Sequence, residues 1–256
     1  MTIRTSAWPA GTPCWAELSV PDVDTAKTFY ESVIGWQWKE PGPDDGGYSM
    51  ATVNGHEVAA IGPMQAPDQP AQWLLYIASD DVDTTAKAIG DNGGSILLPA
   101  RDVGAYGRML VATDPTGATF AVWQAKDHIG AQLVNEPGGI TWEDLRSTDA
   151  TVAQDFYCNV FGFELQTIEM APGDYRTFHL AGNPAPLGGM GGSLGQQTQS
   201  HWVVYFSVPD VDRSVETVID GGGTVIQPPF DTPFGRMAGV TDPFGAFFQL
   251  ISPAEA

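Results

Sequence analysis

The chain repeats itself, and each copy is itself a pair of halves. WAELSVPDVDTAKTFYESVIGW at 15–36 returns as WEDLRSTDATVAQDFYCNVFGF at 142–163, an offset of 127 residues. WLLYIASDDVD and GRMLVATDPTGATF, from 73 and 107, return from 202 and 235 as WVVYFSVPDVD and GRMAGVTDPFGAFF. Ser-Val-Pro-Asp-Val-Asp stands at 19–24 and again at 207–212, so one half-unit opens like another. A fixed period of this kind means one folding unit copied and packed on itself. Every structural or chemical feature can therefore be sought in four parallel places.

Each half-unit opens on a run that alternates side chains, such as Trp15-Ala16-Glu17-Leu18-Ser19-Val20, the pattern of a half-buried strand. An aspartate follows at a constant distance: Asp22, Asp81, Asp149 and Asp210. Each precedes a helical pattern and is read as an N-cap. Phe29-Tyr30 and Phe156-Tyr157 take core-facing helix positions, and Gly35 and Gly162 end their helices. Strands are expected near 36–40, 47–53 and 57–64, with Asn54-Gly55 as a hairpin turn. Asp114-Pro115-Thr116-Gly117 and Asp242-Pro243-Phe244-Gly245 carry type I turn chemistry. The result is an α+β chain of four βαβββ units. They form two tandem lobes, 1–124 and 140–256, joined by a linker at 125–139. Each lobe is a curled mixed sheet around a concavity, with its helices outside.

Eleven Lys and Arg against 31 Asp and Glu give a formal net charge of −20. That field repels phosphate backbones and anionic lipid, so neither nucleic acid nor a membrane surface is expected as partner. Cys14 and Cys158 fall at non-equivalent places, which argues against a disulfide framework or a cysteine-based zinc site. The opening MTIRTSAWPAGTP lacks a signal-peptide core, and no run reaches membrane-spanning length; a cytoplasmic location is expected.

The Asp-capped helix with Phe-Tyr and Gly, paired with Asp-Pro-x-Gly before a last apolar strand, resembles the vicinal oxygen chelate superfamily. That superfamily includes glyoxalase I, bleomycin-resistance proteins and extradiol dioxygenases. The resemblance covers about 12–124 and 140–252. GRMLVATDPTGATFAVWQ and HIGAQLVNEPG are similar to a tandem-lobed actinobacterial group of glyoxalase- or hydroxylase-like proteins. It implies two lobes paired as the subunits of a family dimer, and hence a monomeric chain.

The resemblance also implies a divalent metal held by His, Glu or Gln on the first and last strands of the half-units. On the first strands those positions hold Trp15, Leu74, Trp142 and Val203, none of which can ligate. On the last strands they fall at Ala121 and Gln249, and near Ala59-Ala60 and Gly188-Gly189. Only Gln249 has a donor. No metal and no other cofactor is therefore expected. The alternative second-lobe cluster is His179, His201, Asp144 and Gln249.

Alternation places Trp15, Glu17, Tyr76 and Trp123 on one face of the first lobe. It places Trp142, Asp144, Arg146, His201, Tyr205, Phe247 and Gln249 on the matching face of the second. Both read as aromatic pockets with a few polar groups, as small-molecule sites are built. Glu17 and Asp144, at equivalent positions, are the candidate catalytic acids if desolvation raises their pKa. Their structural alternatives are ion pairs, Glu17 with Arg108 and Asp144 with Arg146 or Arg236. His128, in the linker, is read as a contact between lobes. Three functions follow: a binding protein for a small planar or aromatic metabolite, a metal-independent isomerase, lyase or oxygenase using Glu17 or Asp144, and a divergent metal-dependent glyoxalase or dioxygenase.

Overall fold

The computed structural model describes residues 3–39, 42, 46–64, 66, 69–168, 174–192 and 199–253. The first βαβββ unit is β1 (Pro13–Val20), α1 (Val23–Ile34), β2 (Gln37–Lys39), β3 (Ser49–Val53) and β4 (His56–Pro63). The second is β5 (Trp73–Ala78), α2 (Val82–Asp91), β6 (Ser95–Val103), β7 (Gly107–Thr113) and β8 (Thr119–Ala125). The second lobe repeats this as β9 (Ile140–Ser147), α3 (Ala150–Phe161), β10 (Phe163–Thr167), β11 (Arg176–Leu180) and β12 (Gly188–Gly192). Its last unit is β13 (His201–Ser207), α4 (Val211–Asp220), β14 (Thr224–Thr232), β15 (Gly235–Thr241) and β16 (Phe247–Pro253). Glu40, at the end of one expected strand, lies outside the described residues.

Local chemistry sets these boundaries. All four aspartates cap their helices, each side chain accepting from a backbone N–H in the first turn. Gly35 and Gly162 close α1 and α3 in the left-handed conformation, at φ of 89° and 71°. Asn54 and Gly55 both have positive φ, as a tight hairpin between β3 and β4 needs. In both Asp-Pro turns the glycine N–H donates to the aspartate carbonyl, and the Asp114 and Asp242 carboxylates accept further backbone N–H groups.

Each lobe is one eight-stranded sheet, ordered β2-β3-β4-β1-β5-β8-β7-β6 and β10-β11-β12-β9-β13-β16-β15-β14. Opening and closing strands of a unit pair in parallel, and the two units of a lobe join antiparallel through β1–β5 and β9–β13. The four central strands of each lobe thus lie side by side, with alternate residues facing one concavity.

The opposite faces of the two sheets share one apolar core that runs through both lobes. Trp36 lies within it, stacked on Tyr30 and edge-on to Trp73 and Phe206, its indole N–H donating to the Gly138 carbonyl at 2.7 Å. Tyr30 of the first lobe donates to Asp242 in the second lobe's Asp-Pro turn at 3.3 Å. The charge of Asp114, in the first lobe's turn, acts in return on the buried Tyr157 hydroxyl. Among the described residues no helix is long and apolar enough to cross a membrane.

Glu143 is a charged residue where the alternation of β9 demands an apolar one. It is buried, on the strand face opposite Asp144, and its first-lobe counterpart is Ala16. Burial, with the Asp144 charge second, pushes its carboxyl up to about 8. A raised folded-state pKa stabilises fully below the unfolded value near 4.3 and loses that contribution as pH rises toward the folded value, about 1.4 kcal/mol per unit. Glu143→Gln is therefore expected to flatten the fall in melting temperature between pH 5 and 8.5. At pH 8 it should raise it by about 5 °C or more. Calorimetric scans of both proteins across that range check this; parallel curves would contradict it.

Candidate functional site

One constellation is built twice. In lobe 1 the Trp15 indole N–H donates to the Tyr48 hydroxyl at 3.1 Å, and Tyr48 donates to Glu17 at 2.9 Å. Tyr76, beside Trp15 in register, also hydrogen-bonds Glu17. In lobe 2 the Trp142 indole N–H reaches both the Tyr175 hydroxyl, at 3.2 Å, and Asp144, at 2.9 Å. Tyr175 and Tyr205 each donate to Asp144 at 2.7 Å. Trp, acid, Tyr and Tyr thus recur at offsets of 127 to 129 residues.

The expected strand at 47–53 takes in Tyr48, but β3 begins at Ser49 and β11 at Arg176. Tyr48 and Tyr175 therefore each stand one residue before their strand, in a loop, outside the pocket faces that alternation assigns. The repeat marks them: both lie 33 residues beyond their tryptophan.

The two acids differ in charge balance. Asp144 is 1% exposed and is also paired with Arg146, whose guanidinium lies over the Tyr175 ring, 5.0 Å from its centroid. Trp142, Tyr175, Tyr205 and Arg146 together occupy the lone-pair directions of both its oxygens. Burial, with the Asp144 charge second, pushes the Tyr175 and Tyr205 hydroxyls up, so both remain protonated donors. Among the described residues no arginine is ion-paired with Glu17, and Arg101 acts on it only through its charge. Burial raises the Glu17 carboxyl, opposed by the hydrogen bonds of Tyr76 and Tyr48. Arg108 pairs with Asp83 and Asp102 instead, and Arg236 with Asp212 and Asp231.

Lobe 1 is filled by its own linker. Ala131 N–H donates to the Cys14 carbonyl, and the Ala131 carbonyl accepts from Trp8. Gln132 exchanges hydrogen bonds with Glu57, and the His128 carbonyl accepts from the Trp123 indole. The His128 ring stands edge-on to Trp15 at 4.6 Å and to Trp123 at 5.7 Å, with Nδ1 3.2 Å from Glu57. Its hydrogen bond is the first cause of the lowered Glu57 pKa. Among the described residues the partners of His128 all lie in the first lobe, not between lobes. Residues 128–132 of the linker fold back onto the lobe it leaves, because their donors and rings find partners there. Trp15 is 3% exposed, Tyr76 2% and Trp123 7%. Beside them lies a cleft of about 140 Å³ lined by Trp8, Cys14, Ala78, Trp123 and Ile129. That is below the roughly 300 Å³ at which ligand pockets begin.

Gly130 lets the linker lie this close. It sits at φ +89°, and a Cβ there would collide with the Cys14 carbonyl oxygen. Gly130→Ala is expected to lift the linker from β1 and cost about 1–3 kcal/mol. Red-shifted tryptophan emission with a lowered denaturation midpoint checks this; unchanged emission would contradict it.

Lobe 2 has no such plug among its described residues. Trp142, Met237 and Phe247 are half-buried around buried Val203, Tyr205 and Ile251. Gln249 lies beside Tyr205 in register, and its Nε2 donates to Gln227 at 3.4 Å. His201 is half-buried at the strand's end, opposite Arg146, with Nδ1 3.0 Å from the Gln199 carbonyl. Of the expected residues, the structure brings together Trp142, Asp144, Arg146, Tyr205, Phe247 and Gln249. Trp15, Glu17, Tyr76 and Trp123 are sealed in lobe 1, and His201 stands at the rim.

The family metal does not fit these positions. In register, Trp15 and Leu74 neighbour Tyr76 and Glu17, and Trp142 and Val203 neighbour Tyr205 and Asp144. Among the described residues no group of three His, Cys, Asp or Glu could hold an ion. His179 bonds Thr177 on an outer strand at 2.9 Å, and Asp144 already has its donors.

The Glyoxalase/Bleomycin resistance protein/Dioxygenase superfamily model matches residues 14–122 and 127–250. A Mycobacterium tuberculosis protein named "Putative glyoxylase CFP32" is 43% identical over 258 residues, 98% of each chain. The anthracycline biosynthesis protein DnrV of Streptomyces peucetius is 34% identical over 262 residues, 96% of this chain and 94% of its own. The Mn(II)-bound glyoxalase of Novosphingobium aromaticivorans shares the fold at a TM-score of 0.68 and 17% identity, over 96% of this chain and 83% of its own.

Proposed function

This chain belongs to the glyoxalase/bleomycin resistance protein/dioxygenase superfamily, and from that premise we propose that its second lobe binds a small, flat aromatic metabolite without the family's metal. The observation that carries this reading is the contrast between Trp15 and Trp142. The indole N–H of each donates to a tyrosine, yet one is covered by a linker ring and the other is only half-buried. Trp and Tyr faces favour offset or edge-on partners worth about 0.5–1.5 kcal/mol beyond area burial. Kinship with a protein named for anthracycline biosynthesis points to a flat polycyclic ligand of the same chemical class.

Asp144 serves this site as a positioning residue. With its oxygens bonded by Arg146, Trp142 and two tyrosines, it fixes the aromatic wall. Glu17 fixes the corresponding wall of lobe 1, under His128 and away from any ligand of lobe 2. The division at 1–124, 125–139 and 140–256 is then functional, with the linker serving lobe 1. A monomer in the cytoplasm, with a small molecule as partner, suits the acidic chain and the core shared by its lobes.

Elemental analysis beside a calorimetric titration with 1,4-dihydroxyanthraquinone tests the reading. Metal well below one per chain and saturable binding lost in Trp142→Ala are expected. Stoichiometric zinc, nickel, manganese or iron with turnover of a hemithioacetal or a catechol would overturn it.

A further inference from the structure

We infer that the ring bound by lobe 2 carries an O–H or N–H donor, and that the side-chain oxygen of Gln249 receives it. This rests on lobe 2 being the ring-binding site proposed above. Five strands supply one lateral row of residues to each concavity. In lobe 1 the row runs Trp15, Tyr76, Ala121, Val111 and Leu98. In lobe 2 it runs Trp142, Tyr205, Gln249, Gly239 and Gln227. Trp and Tyr are kept, while the three apolar residues become two amides flanking a glycine.

That exchange leaves one group without a partner. Gln249 is 8% exposed, and its Oε1 is buried with no hydrogen-bond partner. Its Nε2 is turned to Gln227, so the oxygen is the end left open. Gly239 lets the nitrogen end of the amide pack closely: a Cβ there would come within 3.1 Å of Gln249 Nε2, Gln227 Cβ and the Phe247 ring. A buried acceptor left unpaired is costly, and a ligand donor would relieve it. A site built to receive a donor rejects an analogue that lacks it more strongly than an apolar pocket rejects an ill-fitting one.

Lobe 1 displays the same recognition with an internal ring. His128 lies edge-on to Trp15, and its Nδ1 meets the Glu57 carboxylate. In lobe 2 a ring over Trp142 lies on the same lateral row as the Gln249 amide oxygen, two strands away across Tyr205. An uncharged acceptor suits a neutral donor such as a phenol.

Calorimetric titration of the full chain with 2-naphthol and 2-methylnaphthalene tests this, because hydroxyl and methyl have nearly the same size. 2-Naphthol is expected to bind at least tenfold more tightly. Gln249→Ala, which installs the residue of lobe 1, should bring the two within about twofold while 2-methylnaphthalene affinity holds. Gln249→Glu, which keeps an acceptor, should retain the preference. Equal affinities in the unaltered protein, or a preference that survives Gln249→Ala, would overturn the inference alone. Failure of both naphthalenes to bind would overturn the ring-binding reading and this inference with it.

Discussion

Gly189→Ala is expected to dismantle the second-lobe site and lower stability by about 3 kcal/mol, at the upper end of the cost of overpacking. Gly189 lies beside Asp144 in the parallel pairing of β12 with β9. A Cβ there would stand 2.5 Å from Asp144 Oδ1 and nearer still to the Tyr175 hydroxyl. Neither group can move freely, because Tyr175 is held by Trp142 and Asp144, and Asp144 by Arg146 and Tyr205. The methyl therefore displaces either the tyrosine or the carboxylate. The second outcome leaves Arg146 without its counter-charge, which is the costlier. Ala60, the first-lobe counterpart, carries its methyl beside Glu17 without difficulty. Urea denaturation measures the loss, and Gly189→Ala combined with Tyr175→Ala should recover part of it. A Gly189→Ala protein of unchanged midpoint that still binds an aromatic ligand would contradict this account of Asp144.

Trp36→Ala is expected to cost about 3–5 kcal/mol, as truncating a large buried aromatic does. It is 1% exposed and touches both lobes: Tyr30 and Trp73 in its own, Phe206 and the Gly138 carbonyl beyond. The loss should be felt by the whole chain, because one apolar core runs through both sheets. A single cooperative transition at a lowered melting temperature is the expected calorimetric trace. Two separated transitions, with lobe 2 melting as before, would show that the lobes are stabilised independently.

How much of this was legible depended on how local the physics is. The helix caps at Asp22, Asp81, Asp149 and Asp210 and the turns at Asn54-Gly55 and Asp114-Pro115 are decided within a few residues, and each forms as its sequence dictates. Alternation placed Trp142, Asp144, Tyr205 and Gln249 on one face, since strand period leaves no other choice. The partners of that face come from farther away. Tyr175 enters from a loop, where no period applies, and only its equivalence with Tyr48 could have marked it. His128 lies in a stretch with no counterpart in the repeat, so nothing in the sequence tied it to Trp15. Glu143 did leave a trace, a carboxylate at a core-facing position where the first lobe has Ala16.

The two copies are therefore alike in scaffold and different in access. The ¹⁵N–¹H indole signals of the eight tryptophans report this directly, because each N–H is a separate probe. Titration with 2-naphthol should shift the Trp142 signal and saturate at one ligand per chain, while Trp15 and Trp123, under the linker, stay in place. Shifts at Trp15 and Trp123 with saturation at two ligands, or no movement of Trp142 at saturation, would contradict an open second lobe beside a self-filled first.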